Sequence, residues 1–235
     1  MITNIEQKLI QGLGLKKNRK AHQLFVVEGI KNVSAYLDEG YVPTHLFSTE
    51  NIDKIDSIHI SIKEMNRISQ LKNPSPLLAT FSPAIHSNLP DKGRLIGLDQ
   101  VRDPGNLGTI IRLCDWYGIN HIICSNDTVD CYNPKVVQAA MGSLARVRCH
   151  YTELNDYIKT YDAQVYGTLL EGNSIYETKF SSDTLLIFGS EAHGISPEIT
   201  NLIQHRITIP KKSENGPESL NVSIAAGIIL SEMCR

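Results

Sequence analysis

A regular alternation of apolar strands with helices, beginning at Arg94 and continuing to the C-terminus, is the strongest constraint on the fold of this 235-residue chain. Strands are predicted at about 95–99, 120–124, 146–149, 163–169, 184–188 and 206–210. The helices between and after them are predicted at about 107–117, 134–142, 153–160, 197–204 and 219–233. Strands that alternate with helices form parallel sheets covered by those helices. The pattern therefore predicts an α/β domain built on a parallel sheet.

A smaller α/β unit is predicted ahead of this domain. Its strands are expected at 23–27, 44–47, 57–60 and 77–81, and its helices at 5–13, 29–39 and 63–71. Residues 82–93 contain two prolines, a glycine and little apolar periodicity, which is typical of a linker. We therefore expect a domain over 1–81, a linker over 82–93 and a larger domain over 94–235.

Composition excludes several classes of protein. The net charge of −2 argues against a protein that coats nucleic acid nonspecifically. No apolar run reaches the roughly 18 to 20 residues that a membrane span needs, and the N-terminus lacks a signal-peptide pattern, so we expect a cytoplasmic protein without a membrane partner. The five cysteines form no C-x-x-C pair and the eight histidines no H-E-x-x-H motif. Reduced, mostly buried thiols and no metal are the expectation.

Three polar segments follow predicted strands. The first runs from Asp99 to Arg112, the second from Gly189 to Pro197, and the third from Pro217 to Ile228. In the third, four polar residues stand at the start of an otherwise apolar helix, where they need partners that a plain core does not offer. Ligands of open parallel sheets bind at the carboxyl ends of the strands, so the segments predict a binding site there. The sequence Gly105-Asn106-Leu107-Gly108 does not supply the G-x-G-x-x-G pattern of a dinucleotide site.

Together the three segments resemble the three motifs of the SpoU/TrmH family, the ribose 2′-O-methyltransferases of the SPOUT superfamily. The resemblance covers the chain from about Arg94 to the C-terminus. It implies a deep trefoil knot in the C-terminal domain, S-adenosylmethionine held in that knot largely by backbone groups, and a homodimer. A weaker similarity, carried by Phe25-Val26-Val27-Glu28-Gly29 after a basic run, is to the small RNA-binding domain that precedes the knotted domain in many family members.

The resemblance also implies the residues of the cofactor site. Gly189 and Gly194 would permit close approach of the backbone to the ligand. Ile209 and Leu220 would flank the adenine. The remaining predicted cofactor residues are Thr168, Leu169, Gly172 and Ser219.

Five residues are implied to serve catalysis: Asn106, Arg112, Glu191, Ser219 and Asn221. Family members place an essential arginine at the position of Arg112, where it is a candidate general base or an orienting charge. A guanidinium holds its proton with a pKa above about 12, which favours orientation and charge stabilisation. Asn106, Ser219 and Asn221 could hold RNA phosphate or fix one another by hydrogen bonds, and Glu191 read alone could equally form a salt bridge within its loop. Two further structural alternatives remain open. Arg112 could be an ordinary helix arginine paired with Asp115 or Glu191, and Asn106 could be a helix cap.

The expected RNA contacts lie mainly near the N-terminus. Residues 1–90 carry 10 Lys and Arg against 8 Asp and Glu, a net +2, whereas residues 91–235 carry 13 against 17, a net −4. The run 16–20 contains four cations: Lys16, Lys17, Arg19 and Lys20. Read alone, such a run is most often a solvated helix end or loop, but beside a methyltransferase domain it is expected to bind RNA phosphate. Lys135 or Arg146 could replace a family contact where this chain has Gln138. The loop 211–217 is longer than its family counterpart and lacks the customary Met-x-Gly.

The sequence thus predicts an S-adenosylmethionine-dependent enzyme that methylates a ribose 2′-hydroxyl of RNA, with ribosomal RNA favoured over transfer RNA. Two alternatives come from other classes. One is a catalytically silent RNA-binding or ribosome-assembly protein with an inherited knot. The other, a nucleotide-binding oxidoreductase, has no glycine fingerprint to support it.

Overall fold

The computed structural model describes residues 2–84 and 88–235. These residues divide into two compact units. The first comprises the described part of Met1–Ile85 together with Asp130–Ala145, and the second comprises the rest, His86–Val129 and Arg146–Arg235. Of the predicted linker, residues 85–87 lie outside the described residues, and the positions on either side are neither helix nor strand. Residues 130–145 pack with the first unit, although the sequence pattern groups them with the C-terminal domain.

The first unit is a four-stranded sheet with helices. Its elements are α1 (Asn4–Gly12), α2 (Lys16–His22), β1 (Phe25–Glu28), α3 (Ile30–Asp38), β2 (His45–Ser48), β3 (Ile58–His59), α4 (Ile62–Ile68) and β4 (Leu77–Phe81). The sheet order is β1-β4-β2-β3. Strand β4 was predicted with these bounds and is buried throughout, because it lies between β1 and β2. Helix α2 was not predicted, since a run of four cations has no apolar face to give it a helical period.

The segment 130–145 contains helix α6 (Pro134–Ala140) and packs against β1 and α3 of the first unit. The Tyr132 ring lies 4.5 Å from that of Phe25 between centroids, and the Asn32 amide donates to Gln138 Oε1 at 3.2 Å. A Cβ at Gly142 would stand 2.6 Å from the Ala35 Cβ, and Gly142 has a φ of +88°. Glycine is therefore the residue that lets this segment approach helix α3.

The second unit is an α/β structure on a six-stranded sheet. Its strands are β5 (Arg94–Leu98), β6 (His121–Ser125), β7 (Arg148–Thr152), β8 (Gln164–Ser174), β9 (Thr184–Phe188) and β10 (His205–Thr208). The order is β10-β8-β9-β5-β6-β7, and the described pairs are parallel. The predicted parallel sheet is confirmed. The central strand β9 is buried along its whole length, as strands covered on both faces are.

The helices of the second unit are α5 (Pro104–Trp116), α7 (Leu154–Thr160), α8 (Pro197–Thr200) and α9 (Val222–Met233). Helix α5 begins three residues earlier than predicted, because the Asp103 side chain accepts from the Asn106 amide and Pro104 occupies the first helical position. Helix α9 begins three residues later than predicted, after its cap at Asn221. Helix α8 is shorter and strand β8 longer than predicted.

The sheet has a switch point between β5 and β9. From β5 the chain adds β6 and β7 on one side, and β9 and β8 then lie on the other side. Ligands of open α/β sheets bind beside such a reversal, outside the carboxyl ends of the strands. After β10 at one edge, the chain returns to place α9 against α5. This passage is where the resemblance implies the trefoil knot, which stays a prediction.

Candidate functional site

The three polar segments of the sequence meet at the carboxyl edge of the second unit's sheet. Asp99, which directly follows β5 and is only 2% exposed, joins the first two of them. Its amide donates to Phe188 O at 2.9 Å, and its Oδ2 accepts from the Ser196 amide at 2.7 Å. A buried carboxylate that accepts a backbone N–H fixes the positions of both loops.

A chain of side-chain hydrogen bonds connects all three segments. Asn221 Nδ2 donates to Asn106 Oδ1 at 3.0 Å. Asn106 Nδ2 in turn donates to Glu191 Oε1. Three of the five predicted catalytic residues, one from each motif, are therefore in direct contact. Glu191 and Ser219 also line the cavity described below.

The helix caps determine which way these amides face. Asn221 caps α9, with its Oδ1 accepting from the amides of Ser223 at 2.9 Å and Ile224 at 3.3 Å. Its Nδ2 is therefore the group that is left to donate to Asn106. Asp103, and not Asn106, caps α5, so the interpretation of Asn106 as a helix cap is wrong. The Asn106 side chain instead forms hydrogen bonds with Glu191 and Asn221.

A cavity of about 980 Å³ lies between the second and third segments and strand β8. Seven of the eight predicted cofactor residues line it: Thr168, Leu169, Gly189, Gly194, Ile209, Ser219 and Leu220. Gly172 does not. A Cβ at Gly172 would lie 2.6 Å from Arg206 O, so this glycine permits the close approach of β8 to β10.

The approach at Gly172 shapes one wall of the cavity. In the β8–β10 pairing, Arg206 stands opposite Gly167 while the next residue, Ile207, stands opposite Asn173. The five residues 168–172 therefore bulge from β8. The Thr208 hydroxyl holds the bulge by donating to Leu170 O at 3.0 Å, and the Thr168 hydroxyl donates to Ile187 O at 3.1 Å. The bulge places Thr168 and Leu169 in the cavity wall.

A tight turn forms the wall on the side of β9. Ser190 and Gly194 exchange two backbone hydrogen bonds, each of 2.9 Å. Gly194 has a φ of +68°, which favours glycine. A Cβ at Gly189 would stand 2.0 Å from the Gly194 carbonyl carbon, so the two backbone segments are in contact. The turn holds Glu191 at the cavity and leaves backbone groups on its wall.

These features fit S-adenosylmethionine. The volume is near the upper end of the roughly 300–1,000 Å³ of ligand cavities, and the lining mixes apolar side chains with a few polar groups. Leu169, Ile209 and Leu220 offer apolar surface for a purine ring. The glycine turn offers backbone atoms that no side chain covers.

Arg112 is exposed on α5 and makes no hydrogen bond or ion pair with any residue in 2–84 or 88–235. Asp115 pairs instead with Arg146, at 2.6 Å. Glu191 is bonded to Asn106. Neither of the two structural partnerships considered for Arg112 is formed. Because α5 begins at Pro104, Arg112 lies in its third turn and not in its second. Side chains on a helix lean toward its N-terminus, so Arg112 leans toward the first loop.

Both parts of the chain match known protein families. The sequence profile of the SpoU rRNA Methylase family matches residues 93–231. The chain belongs to this family. Residues 4–79 match the MRM3-like substrate binding domain. The match to 93–231 contains the three motifs and the strands that carry them.

Solved structures and a curated relative are similar over nearly the whole chain. A TrmH-family protein from Porphyromonas gingivalis is 36% identical, with a TM-score of 0.88 over 99% of this chain and 98% of that one. An AdoMet-bound rRNA methyltransferase from Sinorhizobium meliloti is 29% identical, with a TM-score of 0.85 over 99% and 95%. The 23S rRNA (guanosine(2553)-2′-O)-methyltransferase of Bacillus subtilis is 27% identical over 93% of this chain and 91% of its own length.

The predicted RNA-binding residues of this SpoU-family chain divide into two groups. Lys16, Lys17 and Lys20 are exposed on α2, and Lys135 is exposed on α6. Arg19 differs from the prediction, being only 4% exposed. Its Nη1 donates to Leu13 O and Gly14 O at 2.8 and 3.0 Å, and its Nη2 pairs with Asp130 Oδ2 at 2.6 Å. Arg19 therefore holds residues of the first unit together, and we leave it out of the RNA surface.

Sequence reasoning missed Asp99, Asp103, Thr208 and three cations that line the cavity, Arg206, Lys211 and Lys212. The signal for Asp99 was present, because a polar residue directly after a buried strand lies at the sheet's carboxyl edge. No sequence pattern indicates the role of Thr208, because its partner is the Leu170 carbonyl in the bulge of β8, and periodicity does not predict that bulge.

Within 2–84 and 88–235, no group of three or more His, Cys, Asp or Glu side chains could hold a metal ion. Over the same residues, no helix has the length and apolar character needed to cross a bilayer. Four of the five cysteine thiols are buried and Cys234 is partly buried, as predicted. Burial raises the pKa of Cys114 well above its usual range.

Proposed function

We propose that this chain transfers a methyl group from S-adenosylmethionine to the 2′-hydroxyl of one ribose in ribosomal RNA. The observation that carries this function is the hydrogen-bond chain Glu191–Asn106–Asn221, which joins the three motifs beside a cavity that fits the cofactor. Ribosomal RNA is favoured over transfer RNA because the similar proteins from Bacillus subtilis and Sinorhizobium meliloti carry rRNA in their names.

The residues of the site contribute mainly by position. When bound, the cofactor would supply an electrophilic methyl group on a sulfonium: the ribose oxygen bonds to this carbon in line as the carbon–sulfur bond breaks, the thioether leaves, and the hydroxyl proton passes to water. Such a step gains most from holding the reacting atoms in line and in contact. The exposed Arg112 guanidinium would orient the ribose hydroxyl and its phosphate and stabilise negative charge on the attacking oxygen. Glu191, Asn106 and Asn221 fix the loops on which this geometry depends, and Ser219 contributes a hydroxyl to the cavity wall.

The activity is tested by mapping modified nucleosides. We expect rRNA from a strain lacking this gene to lose one 2′-O-methyl group, detected by nucleoside mass spectrometry and located by fragment mapping. Restoration by the wild-type gene, but not by an Arg112→Ala variant, is the control. Unchanged rRNA together with a lost methyl group in tRNA would assign the activity to tRNA. The catalytically silent alternative requires that calorimetry detect no binding of S-adenosylmethionine.

The first unit is proposed to bind RNA through the exposed lysines of α2 and through Lys135. Each lysine that neutralises a phosphate adds about 0.7 to 0.9 to the slope of log affinity against log salt. Deleting residues 1–90 is a poor test, since it would remove Arg19 and leave Asp130 and residues 130–145 without their packing partners. Single substitutions separate the binding role from the structural one.

Arg19→Ala is expected to lower stability, whereas the neighbouring lysine substitutions are expected to weaken RNA binding. Arg19→Ala removes the donor to the buried Leu13 carbonyl and to the partly buried Gly14 carbonyl, and it should lower the unfolding free energy of the first unit by roughly 1–3 kcal/mol. Lys16→Ala, Lys17→Ala and Lys20→Ala should change stability by less than about 0.5 kcal/mol and reduce the salt slope of RNA binding. Urea denaturation and RNA binding at several salt concentrations measure the two effects. Equal loss of stability in all four variants would contradict the assignment.

A homodimer formed through the second unit is also proposed. Trp116 on α5 is 84% exposed and Ile224 on α9 is 55% exposed, and these two helices pack against each other. Exposed apolar groups on adjoining helices are typical of an interface between subunits. Light scattering at micromolar concentration should give about twice the 26.2 kDa of one chain. A mass of one chain would refute the dimer. The cytoplasm is the proposed location, since it holds the rRNA on which the enzyme would act.

A further inference from the structure

The loop 211–217 between β10 and α9 forms part of the cavity wall. Lys211, Lys212, Ser213, Gly216 and Pro217 line the cavity. The loop closes on itself, because Lys211 Nζ donates to Gly216 O at 3.2 Å and a Cβ at Gly216 would stand 3.1 Å from Ser213. This contact holds the Lys211 ammonium inside the loop. Lys212, the next residue, is not held in this way.

Lys212 and Arg206 are two cations at the same cavity. Both are exposed and line it. Neither makes a hydrogen bond or an ion pair with any residue that the structure describes, although Glu171, Glu191 and Glu218 line the same cavity. Elsewhere in the second unit, Arg146 pairs with Asp115 and Lys159 with Asp156, so neither of these cations is free to bind a phosphate in the same way.

The net charge of the C-terminal part of the chain bears on what these two cations bind. Residues 91–235 carry a net −4, so the C-terminal part of the chain repels a polyanion on average. An RNA strand that reaches the cavity needs local cations there. A solvent-exposed lysine and arginine gain little from a single carboxylate, but a strand of phosphates releases counterions at each contact. The ligand that suits exposed, unpaired cations at this cavity is therefore the RNA backbone.

We propose that Lys212 and Arg206 bind phosphates of the RNA strand that carries the target ribose and hold that strand over the cofactor cavity. This inference rests on the proposed function and adds to it an RNA contact in the catalytic unit. The loop then positions the substrate.

The test compares Lys212→Ala, Arg206→Ala and the double variant with Lys179→Ala in the full-length protein. Lys179 is an exposed lysine of the same unit that does not line the cavity, which makes it the matched control. Unmodified rRNA from the deletion strain is the RNA probe, and S-adenosylmethionine binding is measured separately by calorimetry. We expect each single variant to lower the salt slope of RNA binding by about 0.7 to 0.9, the double variant by about twice that, and Lys179→Ala by nothing measurable. The KM for RNA should rise several-fold while cofactor affinity stays constant.

Three results would overturn the inference. An unchanged slope in the double variant, with wild-type protein that binds and methylates RNA, would refute the phosphate contact and leave the proposed function standing. Weaker S-adenosylmethionine binding by Lys212→Ala with an unchanged slope would place the ammonium on the cofactor's carboxylate instead. Wild-type protein that neither binds nor methylates rRNA would refute the proposed function and the inference with it.

Discussion

Arg112→Ala is expected to leave the chain folded and able to bind S-adenosylmethionine while lowering methyl transfer by about a hundredfold or more. The physical reason is that Arg112 forms no contact in the described structure that holds the fold, and it is not among the residues that line the cofactor cavity. A preorganised charge removed from a transition state costs roughly 10² to 10³ in rate. Single-turnover transfer from tritiated cofactor to the mapped RNA measures the loss, and calorimetry measures cofactor binding.

The matched control for this variant is Arg94→Ala. Arg94 is an exposed arginine that begins β5, so it lies at the opposite edge of the sheet from the loop that begins α5. Arg94→Ala should retain wild-type transfer. Arg112→Lys should be nearly as poor as Arg112→Ala, because an ammonium cannot reproduce the planar fork that bridges a hydroxyl and a phosphate. Full turnover by Arg112→Ala would refute the catalytic role, and loss of fold or of cofactor binding would favour a structural one.

The sheet and the motif positions were predictable because both follow from patterns of neighbouring residues in the sequence. Apolar runs such as 77–81 and 184–188 are buried on both faces, so their bounds follow from hydrophobicity alone. The residues that cap the helices were harder to predict. Asp103 and Asn221 each precede a helix, but choosing between them and neighbouring polar residues requires knowing which side chain has another partner. Asn106 is the example, since its neighbours in space are 85 and 115 residues away in sequence.

The role of Arg19 and the packing of residues 130–145 could not be predicted for a related reason. Within the run 16–20 the four cations look equivalent, and nothing local distinguishes the one that is buried. The distinction is made by Asp130, which is 111 residues away and belongs to a segment that returns to the first unit. In a helix that lies against the protein, one residue in every three or four faces inward, and only the fold decides which member of a charge run that is.

Gly189→Ala is expected to weaken S-adenosylmethionine binding by a larger factor than any other single methyl group added near the site. The new Cβ would stand 2.0 Å from Gly194 C, 2.2 Å from Ile195 N and 2.3 Å from Gly194 O. All three are backbone atoms, so no side-chain rotation relieves the clash. The turn 190–194 must move, which breaks the paired hydrogen bonds between Ser190 and Gly194 and displaces Glu191 from Asn106.

The size of this effect follows from the cost of overpacking. An added methylene in a well-packed region costs about 1–3 kcal/mol of stability, and a clash with backbone lies at the upper end. The free protein relieves the clash by moving the turn, and cofactor binding must restore the turn, so the same cost opposes binding and corresponds to roughly a hundredfold in affinity. Calorimetry with S-adenosylmethionine measures it. Circular dichroism and RNA binding through the lysines of α2 would show that the rest of the chain is intact.

Gly227→Ala is the control that separates this backbone clash from the general cost of changing a glycine in the second unit. Gly227 lies within α9, and its Cβ would meet Leu113 at 3.6 Å, an ordinary contact. Because alanine favours a helix over glycine by about 1 kcal/mol, Gly227→Ala should bind the cofactor normally and be as stable as the wild type or more so. If Gly189→Ala instead bound the cofactor with wild-type affinity, the turn could move without cost to the site. Backbone contact at Gly189 would then not be what shapes the cofactor cavity.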